Sequence, residues 1–297
     1  MTNKHSGYVA LIGRPNVGKS TLLNRILGQK LSITSRKPQT TRHRILGIKT
    51  EGDTQWVYVD TPGLHRGSDR KINHFMNRAA ISAIGDVDVI CFIVDGIHFN
   101  EGDAWALKQV KRADKPTILV INKTDTLEDK DILLPHIEQL MLEYPFKAVV
   151  PISAKSGKQV DVLEQAIKDL LPLADFFYFP EDALSDRDER FRASEIIREK
   201  LMRTLGEELP YEVHVMVDSL KKEEKIINVS ATLLVAREGQ KAIVIGKGGE
   251  RLKSIGMAAR LDMEKIWGKP VMLRLWVKVK ERWADDESQL KKWGYDE

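Results

Sequence analysis

Through its first 171 residues the chain alternates two kinds of apolar pattern. Short unbroken apolar runs recur at YVALIG (8–13), QWVYVD (55–60), DVICFIVD (88–95), TILVIN (117–122) and AVVPIS (148–153). Runs of that length without polar alternation predict strands covered on both faces. Between them, apolar residues recur three and four apart in KSTLLNRIL (19–27), KINHFMNRAAISAI (71–84) and DVLEQAIKDLL (161–171), which is the helical period. This alternation predicts an α/β domain with a mostly parallel sheet and helices on both faces. Any ligand then belongs in the loops at the carboxyl ends of the strands.

The pattern changes at LLPLADFFYFPEDALSDRDERF (170–191), which mixes prolines, aromatics and acids. A domain boundary is expected there: residues 1–173 form the first domain, 174–190 a linker, and 191–297 a second domain with a tail. RFRASEIIREKLMRTLGEELP (190–210) predicts a helix with Ile196, Ile197, Leu201 and Leu205 on one face. Residues 211–238 alternate apolar and polar across a charged turn and predict a β-hairpin. KAIVI and then GKGG follow, with a helix expected from Glu250 to Trp267 and a strand at VMLRLWVKVK (271–280). In that strand Val271, Leu273, Leu275, Val277 and Val279 alternate with Met272, Arg274, Trp276, Lys278 and Lys280, as in a sheet with one buried face.

Composition adds three limits. With 297 residues, 42% of them hydrophobic, the chain has enough material for two real cores. Its single cysteine, Cys91, excludes an internal disulfide framework and sits where a buried core thiol is expected. MTNKHSGYVALIG lacks the apolar core of a signal peptide, and no run approaches the roughly 18 residues that span a bilayer; a soluble, cytoplasmic protein is expected. The net charge of +4 is unevenly spread, because residues 237–282 hold 12 Lys and Arg against 5 Asp and Glu. Basic charge beside a glycine turn points to a polyanionic partner.

The candidate chemistry falls in the loops. GRPNVGKS (Gly13, Arg14, Pro15, Asn16, Val17, Gly18, Lys19, Ser20) follows one strand and opens a helix at Thr21, the context a phosphate loop requires. Its backbone N–H groups would cradle phosphates, Lys19 would reach the β/γ oxygens, and the Ser20 hydroxyl would ligate Mg²⁺. DTPG places Asp60 in the outer shell of that ion and Gly63 N–H near the γ-phosphate, with Thr61 and Pro62 between them. In NKTD, the Asp125 carboxylate suits the N1–H and 2-amino group of guanine, neither of which adenine offers. A site built on such bonds rejects the analogue that lacks them by roughly 10⁴-fold or more. Asn122 would brace the loops, the Lys123 stem would cover the base, and Thr124 completes the turn. Ser153, Ala154 and Lys155 bring backbone N–H groups towards the guanine O6. These four loops in order predict a GTP site.

LSITSRKPQTTRHR (31–44) reads as a switch loop from which Thr40 or Thr41 ligates Mg²⁺, with Thr41 preferred. Lys19, Ser20, Thr41, Asp60 and Gly63 are therefore the candidate catalytic set. Leu64 occupies the position where signalling GTPases carry a water-orienting Gln, so slow intrinsic hydrolysis is expected. His65 reads as an exposed loop histidine rather than a base, and Arg36, Arg42 and Arg44 are all candidate phosphate neighbours.

GKGG is a different kind of phosphate turn, since ERLK follows it with no Lys-Ser/Thr pair. Helix, two strands, a G-x-x-G turn, helix and strand is the order of a KH module, whose turn clamps about four nucleotides of single-stranded backbone. Gly246, Gly248 and Gly249 allow close approach, Lys247, Arg251 and Lys253 add charge, and an apolar groove beside them would take unstacked bases. A signalling or membrane-associated regulatory GTPase whose basic domain meets lipid or protein is the alternative.

GRPNVGKS, QTTRHR, DTPGL, NKTD, SAK, the helix ending GEELPY and the turn VIGKGG together resemble the Era family of bacterial GTPases, over nearly the whole chain. The resemblance implies a Ras-like P-loop GTPase domain joined to an α+β type II KH domain. It implies as partner the 3′ end of 16S ribosomal RNA on the small subunit, whose maturation the family assists. It also implies a monomer with peripheral attachment to the inner membrane. For Asn16 it implies an activating K⁺, and for Leu64 a subgroup with a hydrophobic residue in place of the catalytic Gln.

Overall fold

The computed structural model describes residues 4–294 apart from 36, 38–39, 65–70, 130 and 207–208. Arg36 and His65 lie outside the described residues.

The first domain is built on β1 (Lys4–Ile12), β2 (Ile45–Glu51), β3 (Thr54–Asp60), β4 (Val89–Asp95), β5 (Thr117–Asn122), β6 (Ala148–Pro151) and β7 (Leu173–Ala174). The spatial order is β2-β3-β1-β4-β5-β6, with β7 antiparallel on the start of β1 and β2 antiparallel to β3. The remaining pairs are parallel. Side chains on one sheet face, among them Leu11, Tyr58 and Ile93, pack under α1 (Lys19–Ile26) and α5 (Val160–Lys168). Those on the other face, such as Ile12, Val57 and Phe92, pack under α2 (Lys71–Gly85), α3 (Glu101–Ala113) and α4 (Leu133–Glu143). Two covered faces explain why the strands read as unbroken apolar runs. β2 was not among those runs, because ILGIKTE is apolar only at its start. Cys91 is fully buried on β4, and burial pushes its thiol up to about 12.

Residues 174–190 do not hang free between domains. Ile48 N–H donates to Leu184 O (2.9 Å), Leu46 N–H to Asp186 Oδ1 (3.0 Å), and Ser185 Oγ to Leu46 O (2.7 Å). The segment therefore covers the edge of β2, where unpaired backbone groups would invite another chain.

The second domain comprises α6 (Glu189–Thr204), β8 (Val213–Lys222), β9 (Ile227–Val235), α7 (Glu238–Ile245), α8 (Glu250–Trp267) and β10 (Val271–Val279), with α9 (Glu287–Lys292) in the tail. Its sheet runs β10-β9-β8, with β10 parallel and β8 antiparallel to β9. KAIVI proves to be the end of α7, a helix absent from the element order read off the sequence. Its start is capped by Gln240 Oε1, which accepts from Ala236 N–H (2.8 Å) and Arg237 N–H (3.1 Å).

The loop 31–44 is fastened to this second domain. Arg42 is buried, its guanidinium donating to Val213 O and Pro210 O, each at 3.0 Å. Arg198 donates to Thr40 O and pairs with buried Glu195. Glu199 accepts from Thr34 N–H (3.3 Å) and pairs with Lys30. His43 Nδ1–H donates to Gly294 O (3.1 Å), tying the loop to the tail, where Trp283 and Leu290 pack against Ile72 and Phe75 of α2.

Burial pushes the His43 pKa down to about 4, against an ordinary 6.5. Between those values the unfolded chain binds more protons than the folded one. The stability contribution is thus whole above about pH 6.5 and is lost as the pH falls towards 4, by at most on the order of 3 kcal/mol. The expected outcome is that the melting temperature falls more steeply over that window than it does for His43→Gln. Parallel melting curves for the two proteins would contradict it.

Candidate nucleotide site and nucleic-acid interface

The turn from β1 into α1 is fixed by steric limits at two glycines. A Cβ on Gly13 would lie 2.4 Å from Ile93 O, and one on Gly18 would lie 2.2 Å from Asn122 Nδ2. Gly18 also holds φ +103°, and Asn16 φ +67°. No side chain caps the start of α1, so its first N–H groups remain available to an anion. Lys19, the first helical residue, is buried, and its ammonium donates to Gly13 O and Arg14 O at 3.0 Å each. Burial lowers its pKa to about 8; negative phosphate oxygens at this position would restore the charge.

Three oxygens converge beside Lys19. Ser20 Oγ donates to Asp60 Oδ2 (2.8 Å) and lies 2.8 Å from Thr41 Oγ1. Thr40, by contrast, donates its hydroxyl to Lys37 O (2.7 Å). Asp60 is fully buried, and burial raises its pKa while Lys19 and Ser20 oppose the rise. Its Oδ1 has no hydrogen-bond partner among the described residues. A buried, orphaned carboxylate oxygen beside two hydroxyls is a donor set that fits a hard cation such as Mg²⁺. Among the described residues there is no cluster of three or more His, Cys, Asp or Glu that could hold a metal, so this hydroxyl–carboxylate set is the candidate metal position.

The far side of the cleft is organised by Asn122. Its Nδ2 donates to Val17 O (2.7 Å), and its Oδ1 accepts from Ala154 N–H (2.9 Å), joining the first and last loops. Asp125 Oδ1 accepts from Ser153 Oγ (2.6 Å), and Thr124 Oγ1 donates to Ile152 O (2.9 Å). Lys123, at φ +64°, pairs with Asp95 Oδ2 (2.5 Å). The cleft has two communicating lobes. One, of about 430 Å³, holds Asn16, Lys19, Ser20, Thr41 and Gly63; the other, of about 680 Å³, holds Asn122, Asp125, Ala154 and Lys155. The first suits a polyphosphate and the second a purine.

Several sequence-derived candidates are not on the cleft. Leu64 is 1% exposed and packs in the core with Ile12 and Phe92, so its side chain faces away from where a nucleotide would lie. Val17, Thr61 and Pro62 are also buried, Thr61 donating to Leu11 O (3.2 Å). Arg14 turns to Asp103 (2.9 Å) and Asp95 (3.6 Å). Neither Arg42 nor Arg44 lines either lobe. The sequence reading missed Asp95 and Asp103, although Asp95 ends a parallel strand, where functional residues concentrate. It also missed Arg25, which donates to Ala154 O (3.3 Å), and Met202 and Arg203 of α6, which reach the cleft from the other domain.

On that other domain, Gly246, Gly248 and Gly249 hold φ of +75°, +60° and +81°, so the backbone itself demands glycine at the turn. A Cβ on Gly248 or Gly249 would meet nothing within 4 Å, leaving that side open. Lys247 and Lys253 are exposed; Arg251 is exposed too but donates to Ile243 O, stapling the end of α7. Ile243 on α7 and Met257 and Leu261 on α8 are exposed, at 49%, 49% and 53%. Apolar side chains beside a basic glycine turn are what unstacked bases require.

Two family models match the chain: "50S ribosome-binding GTPase" over residues 8–123 and "KH domain" over 208–284. A GTPase Era from Coxiella burnetii is 56% identical over 100% of both chains. The chain belongs to the Era family of GTPases. An Era from Pseudomonas aeruginosa is 55% identical over 97% of this chain and 94% of its own. Among solved structures, Aquifex aeolicus Era bound to GDP and AlF4⁻ superposes with TM-score 0.94 at 38% identity, covering 98% of this chain and 99% of that one. Era in complex with MgGDPNP and nucleotides 1506–1542 of 16S ribosomal RNA superposes with TM-score 0.93 at 38% identity, over the same shares. The Ras-like domain plus KH architecture is thus shared with the Era family along its whole length.

Gly18→Ala is expected to weaken GTP binding by at least about 100-fold, or about 2.7 kcal/mol, because it strains φ and displaces Asn122 from both loops. Titration calorimetry with a non-hydrolysable GTP analogue checks this; an affinity within a few-fold of the parent's would contradict the steric account.

Proposed function

We propose that the chain is a GTP-hydrolysing switch that binds 16S rRNA near its 3′ end and assists maturation of the small ribosomal subunit. The observation that carries this reading is the double attachment of the loop 31–44. Thr41 faces Ser20 in the phosphate lobe, while the adjacent Arg42 is buried on the carbonyls of Pro210 and Val213 in the KH domain. A change at the γ-phosphate is therefore felt by the domain that would hold RNA. The RNA in the related Era complex belongs to the small subunit, and similarity along the whole chain favours it over the large subunit named for the shorter family model.

In this reading Lys19 neutralises the β/γ oxygens and Gly63 N–H holds the γ-phosphate. Mg²⁺ would be held by Ser20 and by Thr41 rather than Thr40, with Asp60 behind them, and would shield the phosphate charge. Water attacks the γ-phosphorus, the bond to the β-phosphate oxygen breaks, and GDP and phosphate leave. With Leu64 turned into the core, no side chain at that position orients the water, and turnover is slow until a partner helps. Asp125 reads the guanine edge. K⁺ at Asn16 is supported by that residue's place on the phosphate lobe, and equal turnover in Na⁺ and K⁺ would remove it. The switch works as a monomer in the cytoplasm, with peripheral attachment to the inner membrane.

The test is the affinity of a 16S 3′-end oligonucleotide with GDP and with a non-hydrolysable GTP analogue. A difference of about fivefold or more is expected, and linkage requires RNA to shift the preference for the GTP analogue over GDP by the same factor. Lys247→Asp with Gly248→Asp is expected to abolish RNA binding and leave nucleotide binding intact. Equal RNA affinity in both nucleotide states would end the switch reading. Retained binding to anionic vesicles by a protein that never held RNA would favour the lipid alternative.

A further inference from the structure

Met202 and Arg203 belong to the KH domain, yet they line the same lobe as Asp125 and Lys155. Both sit in the last turn of α6, and nothing in the guanine-reading loops requires them. This lobe shares Gly18, Thr21 and Thr34 with the phosphate lobe, so the two are one continuous cleft. A nucleotide reaching from Lys19 to Asp125 would therefore lie in a cleft with one wall supplied by the other domain.

Resting on the guanine-nucleotide reading above, we infer that the end of α6 is a removable wall of that cleft, with Arg203 as a positioning residue, so that domain docking gates release of guanosine di- and triphosphates. The chemistry of Arg203 suits the role. Its side chain is half exposed, and its Nη2 reaches Glu199 Oε1 (2.9 Å) and Thr34 O (3.3 Å). A guanidinium has five N–H donors in a fixed fork, so others remain for a ribose hydroxyl or phosphate oxygen. Met202 beside it is apolar and buried.

The wall is held shut by contacts between the domains rather than within either one. Lys37 Nζ donates to Gly206 O (3.0 Å), just past α6. Lys30 pairs with Asp262 (3.1 Å) and with Glu199, which also takes the Thr34 N–H. Any event that swings the KH domain away removes Arg203 and Met202 together and opens the cleft on the side of the base. Reciprocally, a bound nucleotide favours the docked arrangement.

Release of a fluorescent N-methylanthraniloyl-GDP from the full chain into excess GDP, followed by stopped flow, tests this. Arg203→Ala is expected to release it about fivefold faster, or about 1 kcal/mol. Arg203→Lys keeps the charge without the fork and is expected to fall between the two. Glu199→Gln, which keeps the Arg203 guanidinium but weakens both its anchor and the Lys30 pair, is also expected to speed release. Parental release rates in both Arg203→Ala and Glu199→Gln overturn the wall while leaving the nucleotide site standing. A wild-type chain that never binds the fluorescent GDP would instead refute the site reading beneath it.

Discussion

Thr41 and Arg42 are neighbours in the chain whose side chains serve different domains, and the attachment of this loop to both halves depends on that adjacency. Arg42 is a buried cation that donates to two main-chain carbonyls, and removing either contact would cost about 1.5–3 kcal/mol. Thr41 cannot move far from Ser20 while Arg42 keeps those carbonyls. The loop is thus not a free lid over the phosphates; it is a strap anchored at its far end in another fold. Packed contacts of this kind tend to have two discrete arrangements rather than a continuum, which is how a sub-ångström event becomes a domain movement.

The charges at this boundary are unusually buried for a surface between domains. Burial alone would raise the Glu195 pKa, but Arg198, with His43 and Arg42, holds it below the ordinary carboxylate range. Such a pair adds little net stability against an apolar equivalent, yet breaking one half of it is costly. An interface built this way favours one register strongly while remaining separable by a competing set of contacts. A larger apolar interface would hold the domains together more permanently.

The cleft of the first domain was legible in the sequence because its motif residues sit at strand ends or a short reach beyond them. The parallel strands announced themselves as unbroken apolar runs, and the loops after them carried GRPNVGKS, DTPG, NKTD and SAK. What escaped were residues whose role depends on distant partners. The direction of the Arg14 side chain follows from Asp95 and Asp103, and that of Leu64 from the core it packs in, neither of which the local sequence announces. α7 was missed because KAIVI is too short for its period to distinguish helix from strand. Met202 and Arg203 gave no local signal, since only the docking of α6 brings them to the cleft.

Cys91 offers a practical consequence. A thiol whose ionisation lies near 12, sealed inside β4, presents almost no thiolate to alkylating reagents at neutral pH. The native chain is in effect already cysteine-free for labelling chemistry. A single cysteine introduced on the exposed face of α8, paired with another on α5, would accept a donor and an acceptor dye without first stripping the core of a side chain it packs around. The distance between the two halves of the molecule could then be followed in real time in an otherwise unaltered protein.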